Sequence, residues 1–180
     1  MDVLVLESVC RLAVGVLFAI SAIGKLRSRH AFGAFESEVR GMKVLPARWV
    51  RPAALAVCLL EAAVVASMAA SATAPAGMAV AGVLLTTFSV AITSARRNGT
   101  DARCHCFGFR SGRFGRRHVL RNLALTAMCA AGVVAALTTP DGRLGVAGQA
   151  SATAVAGVIV VATVFLDDVA FLLSPGPGRR

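Results

Sequence analysis

The sequence predicts an all-α membrane protein, a polytopic bundle of five transmembrane helices in which four form a core and one is added. Three observations carry this. Apolar residues make up 57% of the chain and the mean hydropathy is +0.73, above the roughly 45–50% apolar content of soluble domains. The apolar residues fall in blocks of about twenty, the length that crosses about 30 Å of hydrocarbon. The charges fall between those blocks, where a soluble core would show amphipathic periodicity instead.

The first span covers about Val3 to Ile23, with Glu7 and Arg11 spaced to pair on one helix face. The chain opens with Asp2 and Glu7 and reaches no basic residue before Arg11, so this block is read as a retained span and not a cleavable signal peptide, which needs a basic leader. In the connection that follows, Phe32, Phe35, Val39 and Met42 recur at helical spacing. This predicts an amphipathic helix from His30 to Leu45, on the membrane surface or capping the bundle, ended by Pro46. An irregular solvated loop is the plainer reading of the same stretch.

The second span covers about Ala53 to Ala72, with Ala74 and Pro75 in a turn after it. The third covers about Ala76 to Ala95 and stops at Arg96-Arg97, and the fourth covers about Leu120 to Thr138. Pro140-Asp141-Gly142 makes a turn. The fifth span covers about Val146 to Leu166. In domain terms, residues 1–145 form the four-span unit, residues 146–173 the fifth helix, and residues 174–180 a disordered tail. No strand is expected. Frequent Ala and Gly in the spans suit close packing of helices in lipid.

Net charge is +10, which in a soluble protein would suggest nucleic acid. Here the basic residues flank apolar spans, so anionic lipid and topology account for them and nucleic acid is excluded. The connection after span one holds Lys25, Arg27, Arg29, Arg40, Lys43, Arg48 and Arg51. The one after span three holds Arg96, Arg97, Arg103, Arg110, Arg113, Arg116, Arg117 and Arg121, and the tail ends in Arg179 and Arg180. With five spans these 17 share one face, against Arg11 and Arg143 on the other. The positive-inside rule then predicts an N-terminus outside and a C-terminus in the cytoplasm, and a multi-pass protein of the plasma membrane is expected.

Five cysteines are present. Cys10, Cys58 and Cys129 sit in apolar spans and read as small buried hydrophobes. Cys104 and Cys106 differ, because they lie in the polar, basic segment Arg103-Cys-His-Cys-Phe-Gly108. Nearby cations favour the reactive thiolate. Two thiols at i,i+2 can close a strained ring only across a turn, which Gly108 can serve, and strained exposed disulfides exchange readily. Two other readings stay open: a metal held by Cys104, Cys106 and His118, with or without His105, and a pair of incidental loop cysteines. The spacing is a weak match to zinc sites.

Glu61 is the lone charge of the second span. A carboxylate there costs about 2.5–3.5 kcal/mol on insertion scales, which marks it as a candidate functional residue. Lys25 and Arg121 lie at the same end of the bundle and can reach it, and the plainer reading is a structural pair with either. Cys58 lies one helical turn before Glu61 on the same face. It can pass electrons toward the loop pair.

Several motifs together resemble one family. They are Gly24-Lys25-Leu26 after the first span, Phe32, Pro46, Glu61, Cys104-His-Cys-Phe-Gly108 and Arg121-Asn122. The sequence is similar to the methylamine utilisation protein MauE family, related to DoxX-type membrane proteins, over roughly residues 5–140. The resemblance implies a redox-associated membrane protein that supports maturation of the disulfide-rich small subunit of methylamine dehydrogenase, with a thioredoxin-like partner. DoxX relatives imply a quinone as a candidate electron acceptor. On this resemblance Cys104 and Cys106 are the redox pair, and Glu61, Arg121, Asn122 and Lys25 the supporting polar cluster. An exported client calls for a dithiol on the outer face, whereas the charge count puts the pair on the cytoplasmic face. It then takes electrons from cytosolic thiols or passes them through the bilayer. The alternative is a non-catalytic membrane subunit that docks a thioredoxin-like protein or a quinone-linked complex, and a small transporter using Glu61 ranks last.

Overall fold

In the computed structural model, residues 2–98, 103–104, 112–113, 116–138 and 144–172 are described. Six helices form: α1 (Val3–Leu26), α2 (Arg29–Gly41), α3 (Ala47–Ser67), α4 (Ala74–Arg97), α5 (Arg116–Thr138) and α6 (Val146–Leu172). All except α2 are long and apolar enough to cross a membrane. This is the all-helical, five-span fold that the blocks of hydropathy predict.

α1 is the hub and touches α2, α3, α4, α5 and α6, while α4 and α5 are close antiparallel neighbours. Its buried face reads Cys10, Val14, Leu17, Ser21, Lys25, steps of three and four that hold one side of a helix. Cys10, Val14, Leu17 and Phe18 interlock with Val64 and Met68 of α3, Met78, Leu84 and Leu85 of α4, and Leu125 and Cys129 of α5. The same stripe continues into the polar pair Ser21 and Lys25, so α1 carries both the core and the start of the polar site. At the opposite end, Arg11 lies 3.9 Å from Glu7 as its spacing predicts, and its Nε also donates to the Met68 carbonyl at 3.0 Å. That carbonyl is one of the orphan acceptors at the C-terminus of α3.

α2 caps the bundle. Ser28 accepts from the Ala31 amide at its N-terminus. Phe35 and Val39 bury against Val50, Ala54 and Cys58 of α3, with Phe32 packed alongside. The helix stops at Gly41 and not at Pro46, because Lys43 turns left-handed at φ 52°. Pro46 instead stands at the entry to α3. That helix begins at Ala47, six residues before the expected start of the second span, and ends at Ser67 rather than Ala72. Pro52 is tolerated near its beginning, and Trp49 stays 55% exposed there beside Arg48 and Arg51, the composition of a membrane–water interface. Pro75 lies in the first turn of α4 and not in a preceding loop.

The expectation of no strand is corrected on a small scale. Arg103–Cys104 (β1) pairs antiparallel with Gly112–Arg113 (β2), with Cys104 opposite Gly112. Two-residue strands are too short to leave a periodic signal. Their pairing folds the α4–α5 connection back on itself, and β1 lies beside α2.

Candidate functional site

The buried stripe of α1 meets the single carboxylate of α3 near the end of the bundle where α1 and α4 finish and α5 starts. Ser21, Lys25 and Glu61 are 2%, 4% and 3% exposed. The Lys25 ammonium donates to Glu61 Oε1 at 2.5 Å and to Ser21 Oγ at 2.7 Å. The Ser21 hydroxyl in turn donates to the same Glu61 oxygen at 3.0 Å. The three side chains form a closed triangle centred on Oε1. The ring of Phe35 on α2 lies 4.8 Å from the ammonium and that of Phe88 on α4 lies 5.9 Å away, within reach of cation–π attraction. A desolvated ammonium is thus met by one carboxylate, one hydroxyl and two aromatic faces, which is how an intramembrane charge pair becomes tolerable.

Beside the triangle is a cavity lined by Lys25, Glu61, Phe88, His118, Arg121 and Asn122, with Phe18, Leu84, Leu85 and Ile92 as its apolar walls. It encloses about 20 Å³, enough for a water, which needs about 10–15 Å³, and too little for a quinone ring. Asn122 is buried and His118 and Arg121 are half-buried. His118, Arg121 and Asn122 occupy the first two turns of α5.

Of the residues singled out by sequence, Lys25, Glu61, Arg121 and Asn122 therefore converge on one cavity. Of the two partners considered for Glu61, Lys25 makes the direct ion pair. Cys58 is buried under α2 on the same helix as Glu61. Cys104 has its backbone in β1 beside α2, and α2 also supplies Phe35 to the ammonium. Cys106, His105, Phe107 and Gly108 lie outside the described residues, as does the side chain of Cys104. The proposed tail, residues 174–180, lies outside them too.

Sequence reasoning missed Ser21, Phe35 and Phe88 as parts of the site. Ser21 was legible in principle, four residues before Lys25 and so on its face. Phe88 has no such marker, since an aromatic in an apolar span looks the same whether it faces lipid, core or cation.

The methylamine utilisation protein MauE family model matches residues 3–136. That stretch runs from α1 almost to the end of α5 and contains every residue of the cavity. The chain belongs to the MauE family. Among curated proteins, the methylamine utilization protein MauE of Paracoccus denitrificans is 32% identical over 154 residues, 79% of this chain and 78% of the relative. No solved structure matches. The matched residues thus include the whole described cavity lining, while α6 lies beyond them.

Proposed function

We propose that this MauE-family chain is a thiol–disulfide exchange protein of the plasma membrane that supports maturation of a partner protein in methylamine utilisation. The observation that supports the reading is the sequence motif Cys104-His-Cys106 in a basic segment, whose first cysteine has its backbone in β1, beside the helix α2 that supplies Phe35 to the Lys25 ammonium. The step is an exchange. A client thiolate attacks the Cys104–Cys106 disulfide and forms a mixed disulfide. The second client thiol resolves it, which leaves the client oxidised by two electrons and this pair as the dithiol. A thioredoxin-like disulfide then takes the two electrons in a second exchange, so no further oxidant is needed. Arg103, Arg110 and Arg113 supply the positive charge that favours the thiolate. With the N-terminus outside, as the 17-to-2 charge asymmetry directs, the exchange takes place on the cytoplasmic face.

Differential alkylation in intact cells tests this. A permeant maleimide should label Cys104 and Cys106 only after reduction, and an impermeant one should label neither until the cells are opened. Mass spectrometry should find the two cysteines linked to each other. If they are modified independently under oxidising conditions and never found linked, the exchange reading fails. Zinc that co-purifies and blocks alkylation would put a metal site in its place. Labelling of the pair by the impermeant reagent in intact cells would move the chemistry to the outer face.

A further inference from the structure

Two acceptor oxygens on the cavity wall have no hydrogen-bond partner among the described residues: Glu61 Oε2 and Asn122 Oδ1. Both residues are at least nine-tenths buried, 3% and 4% exposed, and both line the cavity. The other carboxylate oxygen of Glu61 is taken by Lys25 and Ser21. Burying a polar atom without a partner costs about 1–3 kcal/mol, and native structures rarely leave one so. The cavity thus calls for a ligand that donates two hydrogen bonds and fits about 20 Å³. A metal cation does not suit the lining, which already holds Lys25 and Arg121, with His118 beside them, against the single carboxylate of Glu61.

We propose that this cavity is a water site, and that the water links His118 of its lining to Glu61 as a route for protons into the buried ion pair. The water donates to Glu61 Oε2 and Asn122 Oδ1, and its own oxygen accepts from a cation of the lining. A proton arriving on the His118 imidazole passes to the water, which gives one of its own to Glu61 Oε2. His118 ends neutral, the water is unchanged, Glu61 becomes a carboxylic acid, and no electron moves. Among the described residues, the titratable or charged groups around Glu61 are Lys25 from α1, Cys58 from its own helix, and His118 and Arg121 from α5. The α4 wall is Leu84, Leu85, Phe88 and Ile92, and α2 supplies Phe35 and carries the buried Glu38; among the described residues, the titratable lining besides Lys25 and Glu61 comes from α5. The inference is independent of the cysteine exchange and survives if that reading fails.

Infrared spectroscopy of the full chain in lipid nanodiscs, transferred rapidly from H2O to D2O, tests the route. The Glu61 carboxylate bands are those lost in Glu61→Gln. They should shift in D2O at a rate set by the water. Asn122→Leu removes one acceptor and fills the space. It should slow that shift by about tenfold or more, because exchange then awaits local opening of the bundle. His118→Ala should slow it as well. If Asn122→Leu does not fold, Ile92→Phe fills the cavity from the α4 wall with every polar group retained, and should slow the shift likewise. Glu61 bands that do not shift in D2O, or that shift at the wild-type rate in the filled variants, would overturn the proposal.

Discussion

Lys25→Met tests what holds α1 to α3. Methionine keeps the length of the side chain and removes its charge. Glu61 would then keep one side-chain donor among the described residues, the Ser21 hydroxyl, for a carboxylate that is 3% exposed. Breaking one partner of a buried ion pair costs about 3–5 kcal/mol. Loss of the ammonium's contacts with Phe35 and Phe88 adds roughly 0.5–2 kcal/mol. At about 1.4 kcal/mol per factor of ten, the lower figure alone lowers the folded-to-unfolded ratio by roughly two decades. The double variant Lys25→Met/Glu61→Leu should recover most of the loss, since replacing both members of a buried pair with apolar residues is often neutral or stabilising. Reversible unfolding in mixed micelles, titrated with sodium dodecyl sulfate and followed by circular dichroism, reads both effects. A single variant within about 1 kcal/mol of wild type, or a double no better than the single, would refute the view that a desolvated pair closes this end of the bundle.

Gly132→Ala should destabilise by about 1–3 kcal/mol in the same assay, because a Cβ there would clash with the Met78 sulfur and lie 2.8 Å from Cys10 Cβ. Cys104→Ser and Cys106→Ser should each abolish maturation of the client and trap a mixed disulfide on a non-reducing gel. Cys10→Ala and Cys129→Ala, both in the apolar core, should keep activity and lose about 1 kcal/mol of stability or less. Reporter fusions at Pro75 and Gly142 should read as external and one at Gly99 as internal; an external reading at Gly99 would reverse the orientation.

What the sequence made legible follows from length scales. A span of twenty apolar residues is a strong signal, and all five were readable. An isolated carboxylate such as Glu61 announces itself by its cost, and Lys25 by its position at a span's end. The boundaries of α3 were obscured because Arg48, Arg51 and Pro52 look like loop, yet they belong to the first two turns of the helix. The end of α2 depended on a backbone angle at Lys43 that no composition rule assigns to lysine. Ser21 hid among small residues, because serine in an apolar span also satisfies itself on its own helix, as Ser89 does by donating to the Leu85 carbonyl. The β1–β2 pair is shorter than any window over which alternation is detectable.

The added helix α6 has a consequence for how the chain can be wired to other proteins. It lies mainly along α1, where its small Ala152 and Ala156 are buried, and it comes after the residues matched to the family. Four spans would return the chain to the face on which it began. The fifth delivers it instead to the face on which α1 and α4 end and the β1 strand Arg103–Cys104 follows. Anything tethered beyond Leu172, from a recruited enzyme to an experimental tag, is thereby held on that face, at about 5–6 Å × √n from the helix end for a flexible n-residue tether. The effective concentration of such a neighbour is in the millimolar range, so the extra span turns a weak soluble encounter into a local one.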